Sequence, residues 1–246
     1  MQVLILAEVD DGGQGDTTSP VLHRMIEALK QAIATDVSSN GDRLLVDVLS
    51  PDAALKQPVL NESIICPLTL NLPDGLPFAS NQLYQACRDV DGLRQQVQQL
   101  FNVSAGTGQF WLPIVLTAKG PLYGEVIGAE ENLENPGVQG AQDDWDTLTY
   151  YQPLHLPDRL RQSLYRLGGQ LLRSLQASPA TYLLQVGLEG DRIWFDRLFP
   201  FPAAPAIASI GTQSPNLFTC HWRCLTQQPI QDLVILPKTY RLHEIA

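Results

Sequence analysis

Four groups of residues in this chain have types and spacings that suggest chemistry. The first is the loop Gly12-Gly13-x-Gly15, which follows the apolar run QVLILAEV and precedes a helix start at Ser19-Pro20. Glycines at a strand-to-helix turn let backbone amides approach a phosphate at the helix N-terminus. Asp10, Asp11 and Asp16 crowd this loop, and their charge repels a phosphate unless a metal bridges them. The spacing is not G-x-G-x-x-G, so a plain turn is the simpler reading.

The second group is Cys220-His221-x-x-Cys224. Structural zinc needs two well-spaced ligand pairs, and Cys66 and Cys87 do not form a second one. The same stretch, NLFTCHWRCLT, reads as a strand with Cys220, Trp222 and Cys224 on one face, so no metal is expected. The third group is histidine: His155 is a base by type, but no nucleophile and carboxylate can be assembled around it, and His23 and His243 stand alone. The fourth is aromatic. Trp194, Phe195, Phe199, Phe201 and Trp222 cluster near the proline-dense FPFPAAPA. Rings on a stiff scaffold suit a protein partner, with Trp194, Phe199 and Phe201 as the contact residues. The alternative is that they fill the core beneath the tract. The tract itself is expected to wrap the surface or cross a sheet edge, since proline cannot serve a central strand.

The elements that must position these residues follow from periodicity. Gln2 to Val9 reads as a buried parallel strand, and Leu22, Met25, Ile26, Leu29 and Ile33 recur at helical spacing after Ser19-Pro20. A second strand over 43–49 completes a βαβ opening with a parallel pair. Further expectations are a strand at 63–68 and a helix from Ser80 to about Phe101 with Leu83, Val90, Leu93, Val97 and Leu100 buried. Strands at 110–118 and 123–128 flank a hairpin at Lys119-Gly120-Pro121. The acidic stretch 129–146 has no period and reads as a surface loop. A leucine-striped helix starts near Pro157-Asp158, a hairpin joins 181–186 to 192–196 around LEGD, and two strands fall at 217–225 and 230–242. The fold class is α/β, with α+β also compatible: a βαβ opening and a mixed β-sheet with helices packed on it. The natural division is an N-terminal lobe, 1–105, and a C-terminal lobe, 106–246, or one compact domain.

From Ser80 onward the order of features resembles that of ATP-grasp proteins. SNQLYQACRDVDGLRQQVQQLF stands for a helix, LPIVLTAKG for a strand with a phosphate-binding lysine, and YLLQVGLEGDRIWFDRLFPFPAAP for the closing hairpin. The resemblance implies ATP and magnesium as cofactors, with Lys119 on phosphate and Asp196 on the metal. It covers about half of the chain, residues 80–205. The acid–x–asparagine pair of the family is absent, because Arg197 and Leu198 follow Asp196. The glycine-rich lid is reduced to Gly120 and Gly124. Read without the family, Asp196 is a strand carboxylate paired with Arg192 or Arg197, and Lys119 is a solvated hairpin tip.

Composition removes other classes. The 246 residues carry 16 Lys and Arg against 26 Asp and Glu, a formal charge of −10 that repels nucleic acid and anionic membranes. Arg159, Arg161, Arg166 and Arg173 read as a solvated helix face. No apolar run reaches the roughly 18–20 residues that span a bilayer. The N-terminal stretch lacks a basic n-region, so a cytoplasmic protein is expected. The leading function is a non-catalytic binding or assembly protein on a degenerate nucleotide-binding scaffold. The alternative is an ATP-dependent carboxylate–amine ligase of ATP-grasp type.

Overall fold

A computed structural model describes residues 2–9, 19–40, 44–57, 63–131 and 148–237. The glycine loop at 12–15, residues 132–146 of the acidic stretch, and His243 lie outside the described residues. Among those described, no helix is long and apolar enough to cross a membrane.

The apolar run at the start forms β1 (Gln2–Leu6), buried on both faces because strands lie on either side of it and helices cover it. β2 (Leu45–Leu49) and β3 (Ser63–Pro67) both pair with it in parallel, giving the order β2-β1-β3. The crossover is α1 (Pro20–Asn40), where the Leu22 amide donates to the Ser19 hydroxyl at 3.4 Å and proline takes the first helical position. Met25, Ile26, Leu29 and Ile33 form its buried stripe. A short α2 (Pro51–Ala54), capped by Ser50, follows β2.

The long helix expected from Ser80 is two: α3 (Asn81–Arg88) and α4 (Val90–Phe101). Asp89 breaks it, because its carboxylate accepts the Gly92 amide at 3.0 Å and starts α4 afresh. The inward row of α4 is Leu93 and Val97 followed by Phe101, which leaves Leu100 59% exposed, against expectation.

The larger sheet has six strands: β4 (Phe110–Thr117), β5 (Gly120–Tyr123), β6 (Val126–Glu131), β7 (Leu148–Leu154), β8 (Ala180–Glu189) and β9 (Arg192–Phe199). Its order is β7-β6-β4-β8-β9, with β5 folded back on the end of β4. The expected strand 123–128 divides at Gly124-Glu125, since β5 and β6 pair with different parts of β4. Alternation along the central strands serves two cores. Leu112, Ile114, Tyr182 and Leu184 face α4 and α5 (Asp158–Ser174), whereas Trp111, Val115 and Leu183 face the other side. That second core is continuous with β1 and α1, so it crosses the boundary at residue 105.

Three expectations fail on this side. Residues 217–225 form a helix, α6 (Leu217–Leu225), and not a strand. Asn216 caps it, accepting the Thr219 amide at 2.9 Å, and the Trp222 indole reaches Asp36 on α1 at 3.0 Å. Of the strand expected at 230–242, the described residues 230–237 are strand only at β11 (Val234–Ile235), which pairs with β10 (Gln213–Ser214). The proline tract is interior, with 201–207 all buried and a 3-10 helix at Ala204–Ser209. Pro200, Pro202 and Pro205 have no N–H, so little backbone donor is left to satisfy there, and the small alanines pack closely.

Candidate functional site

The strand order reverses between β1 and β3, and a crevice opens beyond the carboxyl ends of such strands. A cavity of about 640 Å³ occupies this place. Its floor is Glu8, Thr69 and Asn71, its near wall the first turns of α1, and its far wall Phe199, Phe201, Ala203 and Ala204. Pairing beyond the strands sets the floor: the Leu68 amide donates to Leu6 O at 2.8 Å, which brings Thr69 opposite Glu8. The Thr69 hydroxyl and the Asn71 amide group each donate to Glu8 Oε1 at 2.7 Å. The Asn71 backbone N–H donates in turn to Thr69 Oγ1 at 3.0 Å, which orients the hydroxyl toward the carboxylate. Thr69 is buried while Glu8 is exposed to the cavity.

Two guanidinium groups stand at the rim. Arg88 donates to Leu72 O at 2.9 Å and to Asp74 at 3.1 Å. Arg197 is mostly buried beside Asp196. The aromatic wall is braced from behind. Phe199 meets Phe201 edge-on at 6.0 Å, Phe201 stacks on Tyr84 at 6.1 Å, and the Tyr84 hydroxyl donates to Pro200 O at 3.2 Å. This arrangement can receive a small molecule that offers a hydrogen-bond donor to Glu8 and an apolar or planar body to the phenylalanines.

The structure does not bring Lys119 and Asp196 together. Asp196 is an extra residue at a bulge in β9, between Phe195, which faces Val186, and Arg197, which faces Gln185. Its side chain is 0% exposed, with Oδ1 receiving Arg94 Nη2 at 2.5 Å and Oδ2 receiving the Gly108 amide at 2.9 Å. Arg94 Nε also donates to the Asp196 carbonyl at 3.0 Å. Gly108 is required here, because a Cβ would collide with the Val186 carbonyl. Lys119 is exposed in the β4–β5 turn. Asp196 lies level with Trp111, and the five steps from Trp111 to Leu116 alone span roughly 17 Å, with Lys119 beyond. A carboxylate so saturated does not fit a magnesium ion, and the pair does not form one nucleotide site.

The remaining candidates are dispersed. Phe199 and Phe201 are each 4% exposed and belong to the core, while Trp194 is half-buried over Gly106. His155 is exposed, 4.0 Å from Glu125, and His23 is exposed on α1. Cys220, His221 and Cys224 are buried on α6 with free thiols. Burial pushes the Cys224 thiol up to about 12 and raises Cys220 as well. Among the described residues no group of three or more His, Cys, Asp or Glu could hold a metal.

The overall arrangement is that of known proteins. It superposes on glycinamide-RNase-transformylase T from Mycobacterium tuberculosis with a TM-score of 0.65 at 12% identity, over 94% of this chain and 80% of that one. N5-carboxyaminoimidazole ribonucleotide synthetase from Thermus thermophilus gives 0.65 at 12% over 94% and 80%. N5-carboxyaminoimidazole synthase from Aspergillus clavatus, solved with ADP and 5-aminoimidazole ribonucleotide, gives 0.59 at 11% over 94% and 78%. The chain therefore has an ATP-grasp-like fold. No family model and no curated protein matches it in sequence.

Proposed function

We propose that this chain is a non-catalytic binding protein on an ATP-grasp-like scaffold, and that its ligand is a small molecule delivering a hydrogen-bond donor to Glu8. The observation that carries the reading is Asp196: the carboxylate that would hold a metal is spent on Arg94 and Gly108. The cavity supports the binding half, since Glu8 is fixed by two donors on one oxygen and faced by apolar rings. One fold hosts many unrelated functions, because function resides in sites and not in folds.

A second reading, an ATP-dependent carboxylate–amine ligase, is favoured by the Aspergillus clavatus neighbour, which was solved with ADP. It would need metal-binding residues other than Asp196. Thermal shift of the full chain with magnesium-ATP, ADP, 5-aminoimidazole ribonucleotide and a panel of small amines and sugar phosphates separates the two. A bound compound at 100 times its dissociation constant adds about 2.7 kcal/mol. The binding reading expects a shift that disappears in Glu8→Gln; a panel with no Glu8-dependent shift sinks it.

A further inference from the structure

His221 has a chemistry fixed by burial and one backbone bond, and the cleft makes no use of it. It is 1% exposed on α6, and its Nδ1 receives the Thr181 backbone N–H at 3.2 Å. A backbone N–H only donates, so Nδ1 carries no proton and in the neutral ring the proton sits on Nε2. Burial keeps the ring neutral by pushing its pKa down to about 3. Nε2–H is thus a buried donor, and it has no hydrogen-bond partner among the described residues. An unsatisfied buried donor costs about 1–3 kcal/mol, and native chains keep few of them.

A small cavity of about 30 Å³ is lined by His221 together with Ser80, Tyr84, Ala180, Tyr182 and Leu225 among others. One water needs roughly 10–15 Å³ of such space, whereas organic ligands fill roughly 300 Å³ or more. The wall has acceptors: the Ser80 side chain makes no cap bond to α3, and the Tyr84 oxygen, while donating to Pro200 O, keeps lone pairs. We propose that one buried water occupies this cavity, accepting from His221 Nε2–H and donating to the hydroxyls of Tyr84 and Ser80. The water links α6 to α3 behind Tyr84, and because Tyr84 stacks on Phe201 it braces the aromatic wall of the cleft from the rear.

The test needs only the unmodified full chain. A high-resolution crystal structure should show an ordered water about 2.7–3.2 Å from His221 Nε2, and nitrogen-15 NMR of the imidazole should show the Nε2–H tautomer. Both results together support the site. An empty cavity, or a ring protonated on Nδ1, overturns it.

Discussion

Asp196 and Glu8 each accept two side-chain-directed hydrogen bonds, but they distribute them differently. Asp196 takes one on each oxygen, from Arg94 and the Gly108 amide, with no solvent exposure. Glu8 takes both on Oε1, from Thr69 and Asn71, and remains open to a cavity. The first arrangement consumes the carboxylate in holding α4 and the 104–108 segment against β9. The second orients a carboxylate and leaves it able to meet something else. Residue type does not separate these roles; saturation does.

The largest effect should come from opening the closed site. Arg94→Ala removes the hydrogen-bonded partner of a buried carboxylate, leaving it the Gly108 amide and Arg197 at 3.5 Å, and should cost about 1–3 kcal/mol in urea denaturation; a loss under about 0.5 kcal/mol would mean that Asp196 is not held as described. Acid sharpens the contrast between buried and exposed groups next. His221 falls from its ordinary 6.5 to about 3 in the folded chain. Its stabilisation is therefore complete above pH 6.5 and is lost progressively as pH drops toward 3. Between pH 7 and pH 5 this amounts to about 2 kcal/mol, and the His221→Gln chain should lack that component of the slope.

Smaller effects belong to the open site. Glu8→Gln should change stability by less than about 1 kcal/mol while removing any ligand-induced thermal shift, a separation that a purely structural carboxylate would not give. Lys119→Ala should stay within about 0.5 kcal/mol and leave any response to magnesium-ATP unchanged. A response abolished by that change would return the nucleotide to the β4–β5 turn.

Much of the scaffold was legible in the sequence because it rests on local periodicity. The unbroken QVLIL, the stripe Met25–Ile26–Leu29–Ile33 and the leucines of 160–172 each specify an element by themselves. The helix at 217–225 was not legible, since Phe218, Thr219, Trp222 and two cysteines favour strands, and its partner Asp36 is remote in sequence. The proline tract misled for a similar reason: lack of N–H groups disqualifies a strand but also makes interior burial cheap. The cleft floor was missed because Glu8 and Thr69 meet only through the parallel β1–β3 register. A usable signal existed, in the polar residues that directly follow two apolar strands of a βαβ opening. Asp196 was visible by type, but its partners Arg94 and Gly108 were not, because they approach it from 102 and 88 residues away.

The most direct test of the central claim is ADP release from magnesium-ATP by the full chain, in the presence of 5-aminoimidazole ribonucleotide and a panel of carboxylates and amines. A carboxylate locked between Arg94 and Gly108 predicts no release above the buffer rate. Release that is lost in a folded Asp196→Asn chain would contradict it.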